Sequence, residues 1–150
     1  MRIWSKVLVP YLPKKQLIAM RYELGDMIKQ YPNIKHGLVK FANDYDIAYL
    51  YGYFDKVCNE CLFRNIKMNF SYNKEILDIV YYSNSKLPII NDCVFEEDNE
   101  EYLKICLMNL YEKHIRNMIP QEEWQKIEDK FGGVMWKITI IILKLFYYAV

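Results

Sequence analysis

Lys14-Lys15-Gln16-Leu17-Ile18-Ala19-Met20-Arg21-Tyr22-Glu23-Leu24-Gly25-Asp26-Met27-Ile28-Lys29-Gln30 is the stretch on which the reading of the fold turns. Leu17, Ile18, Met20, Leu24, Met27 and Ile28 recur close to a 3.6-residue period, which predicts an amphipathic helix over about Lys14 to Gln30. Pro13 is placed to open that helix, since its missing N–H costs nothing at a helix start. Tyr31-Pro32-Asn33 closes it, and Gly25 weakens it slightly. Glu23 lies near its middle.

The same period recurs downstream. Asp46 is a cap for a second helix over about Ile47 to Asn65, with an apolar stripe of Ile47, Leu50, Tyr51, Phe54, Val57, Cys58, Cys61 and Leu62. A short third helix is predicted over Asn73 to Tyr82. A fourth follows over about Asp98 to Arg116, acidic at its N-terminus as the helix dipole prefers. Pro120 begins a fifth, with Glu122 and Glu123 in its first turn and Gly132-Gly133 as its end. Residues 2–9 read as an extended or irregular entry punctuated by Pro10 and Pro13. Lys35 to Tyr45 reads as a polar connection, and residues 83–95 as a loop. The fold class is therefore all-α. The expected architecture is a compact helical bundle forming a single domain over 1–150, with the N-terminal segment packed near the first long helix.

The last segment, residues 134–150, is Ile-rich and aromatic, with Lys137 and Lys144 inside it. It falls short of a standard membrane span, so no membrane partner is expected. A buried helix or strand is the plain reading, and a homodimer or membrane contact through 134–150 is the alternative.

Charge is unevenly placed. Residues 1–42 hold eight basic side chains (Arg2, Lys6, Lys14, Lys15, Arg21, Lys29, Lys35, Lys40) against Glu23 and Asp26, a net of +6 in a chain of +1. Positive charge gathered at one end of a near-neutral chain is the pattern of a phosphate-facing surface. No signal peptide is visible in the basic, proline-interrupted start, and a cytoplasmic chain with reduced thiols fits best. Cys58-Asn59-Glu60-Cys61 is formally a CxxC, but Cys93 and Cys106 are isolated and supply no second pair with metal spacing. Core thiols are expected, and no metal.

Met1-Arg2-Ile3-Trp4 and Leu12-Pro13-Lys14-Lys15-Gln16-Leu17 are followed in order by Arg21-Tyr22-Glu23, Lys35-His36 and Tyr49-Leu50-Tyr51-Gly52-Tyr53, with Asn99-Glu100-Glu101-Tyr102-Leu103-Lys104 further on. In order and spacing these resemble the pyrimidine-dimer DNA glycosylase family, the T4 endonuclease V-like enzymes, and most closely a small bacterial branch of it. The resemblance is good over 1–65, patchy over 95–119 and absent from the last thirty residues.

The resemblance implies a DNA repair glycosylase and AP lyase acting on damaged or abasic double-stranded DNA. In that family the N-terminal amine attacks C1′ of the nucleotide and forms a Schiff base, and a helical glutamate then promotes strand scission by β-elimination. The glutamate falls on Glu23. Arg2 is too bulky to allow removal of the initiator, so the amine falls on Met1. Arg2, Lys14, Lys15, Arg21, Lys35 and His36 are the implied DNA contacts. The chain departs from the family at Tyr22, where a basic residue usually precedes the glutamate, at Gln16 and at Asp26. The chemistry is sound on its own terms. An α-amine with a reference pKa of about 7.7–8.0 is about one-tenth neutral at pH 7, against under one in a thousand for a lysine near 10.4. Imine formation of this kind calls for no cofactor. Two rival readings remain: a non-catalytic nucleic-acid-binding relative, and a helical interaction protein that dimerises through its tail.

Overall fold

The computed structural model describes residues 2–83 and 93–148, with side chains through Met135. Among the described residues the chain is all-α. It has five α-helices, α1 (Lys14–Gln30), α2 (Ile47–Phe63), α3 (Phe70–Tyr82), α4 (Glu100–Ile115) and α5 (Gln121–Tyr148). Two 3-10 helices, Lys6–Tyr11 and Lys40–Asp44, complete it. α1 and α2 form the central pair, α3 packs across both, α4 packs on α5, and α5 also meets the first 3-10 helix.

The apolar stripe read from α1 faces inward: Leu17, Met20, Leu24, Met27 and Ile28 are buried. They join one cluster with Leu50, Phe54 and Val57 of α2, Ile76 and Val80 of α3, Leu107 and Leu110 of α4, and Trp124, Ile127 and Phe131 of α5. Each such side chain contributes about 1.5–3 kcal/mol by leaving water. All four cysteines are free and buried, with Cys58 and Cys61 on the core side of α2.

The helix ends follow local chemistry. Asp46 caps α2 by accepting from the Ala48 N–H at 2.8 Å, Asn69 caps α3, and Asn99 caps α4 through the Glu101 and Tyr102 N–H groups. α2 ends two residues before the predicted Asn65. There Asn65 takes a left-handed φ of 55°, and the Ile66 N–H reaches back to the Cys61 carbonyl at 2.8 Å. α4 ends in the same way at Asn117.

Three expectations are corrected. Of residues 2–9, read as an extended or irregular entry, residues 6–9 belong to a 3-10 helix, Lys6–Tyr11, with Pro10 inside. α3 begins at Phe70 rather than Asn73, because Asn69 supplies the cap. Gly132-Gly133 does not end α5, which continues to Tyr148. Glycine stops a helix by turning left-handed, and neither of these has a positive φ. Phe131, Val134 and Met135 instead pack on the core across the glycine pair and hold the helix through it. The homodimer expectation for 134–150 rests on side chains that lie, beyond Met135, outside the described residues. No helix among the described residues is long and apolar enough to cross a membrane.

Candidate functional site

The N-terminal segment is tied down residue by residue. The Arg2 backbone N–H donates to Oε2 of Glu23 at 2.5 Å, and the Tyr102 hydroxyl donates to the Ile3 carbonyl. Trp4 is buried, with the Arg2 guanidinium 5.5 Å from its ring centroid. The Lys6 N–H donates to Oδ2 of Asp98 at 2.8 Å, and the same oxygen accepts from the Tyr53 hydroxyl at 2.6 Å. Burial pushes the Tyr53 and Tyr102 hydroxyls well above the usual phenol range, so both stay protonated as donors. Behind them, Arg64, the residue after α2, donates to the carbonyls of Leu12 at 2.7 Å and Pro10 at 2.6 Å while pairing with Glu60 at 2.6 Å. That clamp fixes the 3-10 helix immediately before α1.

This anchoring opens a cleft of about 390 Å³ between the N-terminal segment, α1 and α4. Arg2 and Trp4 form one wall. Lys15, Ala19 and Glu23 line it from α1 at i, i+4 and i+8, one face of a helix, with Gln16 beside them. Asn109 and Lys113 line it from α4, again at i, i+4. Glu23 thus lies in a cleft whose other charged side chains are Arg2, Lys15 and Lys113. Cations so arranged can hold an anionic ligand, and a carboxylate among them can accept a proton.

Of the residues singled out from sequence, Arg2, Lys15 and Glu23 come together here. Lys14 is exposed beside Lys15, its backbone N–H donating to Glu123 of α5 at 3.0 Å, and does not line the cleft. Lys35 and His36 are exposed in the connection after α1, outside the lining. Met1 lies outside the described residues. Arg21 corrects the expectation of a phosphate ligand. It is 2 % exposed, and its guanidinium donates to the Asn73 side chain through Nε at 3.1 Å and through Nη2, and to the Asn69 carbonyl at 3.0 Å. At 100° per residue it is about 160° from Glu23 on the wheel and faces α3. Lys6 is also buried, donating to the Cys93 carbonyl at 2.9 Å. Two of the eight N-terminal cations therefore serve the fold.

Asn109 and Lys113 were not read as site residues. Their i, i+4 spacing is ordinary on a helix surface, and only the packing of α4 against the N-terminal segment gives it meaning. Among the described residues no three His, Cys, Asp or Glu side chains group to hold a metal ion.

A family model described as pyrimidine dimer DNA glycosylase matches residues 1–75, half of this 150-residue chain. The chain belongs to the pyrimidine dimer DNA glycosylase family. No curated protein and no solved structure matches it. A glycosylase of this family has DNA as its substrate. The matched stretch carries Arg2, Trp4, Lys15, Gln16, Ala19 and Glu23, while the cleft wall supplied by α4 lies beyond it.

Proposed function

We propose that this chain is a DNA glycosylase and AP lyase that works through an imine at its N-terminus. The α-amine of Met1 attacks C1′ of the target nucleotide, and the base departs with the electrons of the glycosidic bond. The nitrogen then gives up a proton and the ring oxygen takes one as its bond to C1′ breaks, which leaves a hydroxyl at C4′ and the protonated Schiff base. Glu23 then takes a proton from C2′, the electrons shift into the iminium, and the 3′ phosphate leaves, which nicks the strand. Arg2, Lys15 and Lys113 hold the flanking phosphates, with Lys14, Lys35 and His36 as outer contacts on the same duplex.

One observation carries the reading: the Arg2 N–H bonded to Glu23 Oε2. It supports a carboxylate held at the start of the described chain, against the backbone of Arg2. An amine nucleophile and its proton acceptor need that proximity. The α-amine's low reference pKa leaves it the best imine former in the vicinity, ahead of Lys15 and Lys113.

The direct test is a duplex with one abasic site. Nicking that leaves an unsaturated 3′ end, in buffer with chelator, fits the lyase. Tight, salt-sensitive binding without nicking favours the non-catalytic relative instead.

A further inference from the structure

Beyond Glu23, α1 carries an exposed aromatic side chain that the proposed chemistry does not use. Tyr22 is 45 % exposed. Its ring centroid lies 5.3 Å from that of Tyr72, tilted by 53°. The Arg21 guanidinium carbon is 5.0 Å from the centroid of each ring. Arg21 is held from behind by Asn69 and Asn73, and Tyr72 is held by Lys29, whose Nζ lies 4.8 Å from its ring. Of the three groups Tyr22 is the most exposed, Tyr72 being half-buried and Arg21 buried.

Three physical points bear on what meets that face. A cation against the inner side of a ring draws π density toward the protein, which leaves the outer side a better partner for an electron-rich ring. Tyr22 does not line the cleft, but at 100° per residue it falls about 20° from Lys15 and about 60° from Ala19, on the side of α1 next to the face that both residues turn to it. Asp26, exposed about 40° from Tyr22, makes the patch a poor neighbour for a phosphate and an acceptable one for a neutral base.

We propose that Tyr22, backed by Arg21 and Tyr72, is a stacking platform for an unpaired nucleobase of the DNA held at the cleft. The inference rests on the glycosylase reading and adds a base contact to its phosphate contacts. An aromatic platform beside a backbone-binding groove is a general means of holding an unstacked base without reading its sequence.

The test uses duplexes with an uncleavable tetrahydrofuran abasic analogue and 2-aminopurine placed opposite it or at either neighbour. With the full chain, 2-aminopurine at one of these positions is expected to be quenched on binding. Tyr22→Leu, which keeps apolar cover over Arg21, should restore that fluorescence and weaken binding about tenfold. Tyr22→Phe should behave as the parent. A Tyr22→Leu variant that melts normally, binds with unchanged affinity and quenches at every position as the parent does would overturn the platform. Borohydride trapping of a true abasic duplex in parallel separates the two levels. Trapping with unchanged quenching sinks the platform alone, whereas neither trapping nor binding sinks the glycosylase reading on which it stands.

Discussion

The Arg2 backbone N–H and the Glu23 carboxylate meet at 2.5 Å across 21 residues of chain. A backbone donor is indifferent to side-chain identity, so the contact fixes the path of the terminus itself. A carboxylate bound in this way is oriented as well as near, and orientation is a large part of what a proton acceptor contributes. Glu23→Gln keeps an oxygen acceptor for the Arg2 N–H and removes the base. It is expected to lower nicking of an abasic duplex by about 10²–10⁴-fold while leaving DNA affinity within a few-fold. Nicking at the parental rate would remove Glu23 from the mechanism.

The cations of the N-terminal region divide into two kinds, and salt separates them. Lys15→Ala or Lys113→Ala should each weaken duplex binding and flatten the slope of log K against log[salt] by about 0.9. Arg21→Met should leave that slope unchanged and instead lower the melting temperature, because the Asn73 side chain and Asn69 carbonyl lose their donor. A flattened slope for Arg21→Met in a normally melting protein would contradict its structural assignment.

Gly25 sets α1 against α3. A Cβ there would overlap the Tyr72 hydroxyl oxygen and stand 2.8 Å from the carbon bearing it. Alanine would gain about 1 kcal/mol of helix propensity. Overpacking of a ring held by Arg21 and Lys29 costs about 1–3 kcal/mol. Gly25→Ala is therefore expected to destabilise the fold in urea titration, and Tyr72→Ala in the same chain to relieve part of that loss. A more stable Gly25→Ala protein would show the α1–α3 contact to be looser than described.

Buried thiols and phenols set the alkaline limit. Burial pushes Cys58 up to about 11, against a smaller lowering by Arg21, and Tyr72 up to about 12. Cys61 and Cys106 are raised by the same cause. Each group is neutral in the fold and ionises more easily unfolded, near 8.5 for cysteine and 10 for tyrosine. Their contribution is complete below those unfolded values and is lost as pH rises through the folded ones. Stability should be flat against these groups up to about pH 8 and fall from about pH 9 upward. At pH 8 the thiols should react with a disulfide reagent only at the rate of unfolding. Rapid labelling of Cys58 in native protein would overturn this.

The helices were legible where amphipathic period and end chemistry agreed. α1 keeps its predicted bounds from Lys14 to Gln30 because both its apolar stripe and its flanking prolines point the same way. α5 was misread at Gly132-Gly133 because a local glycine signal competes with core contacts on either side, and tertiary packing outweighs about 1 kcal/mol per glycine. The half of the cleft from α1 and the terminus was legible, since Arg2 and Glu23 stood in a recognisable order. The half from α4 was not, because Asn109 and Lys113 acquire their place only when Tyr102 and Asp98 bind the N-terminal segment. Arg21 misled for the complementary reason: a cation in a basic region reads as surface until Asn69 and Asn73 are seen to enclose it.

The central claim is that the terminal amine is the nucleophile. Incubating the chain with an abasic duplex under borohydride, digesting it and weighing the cross-linked peptide tests this most directly. The account expects one adduct, on the peptide that begins at Met1, and its loss when extra residues precede Met1. An adduct on a peptide containing Lys15 or Lys113 instead, or no adduct while the duplex stays bound, would contradict it.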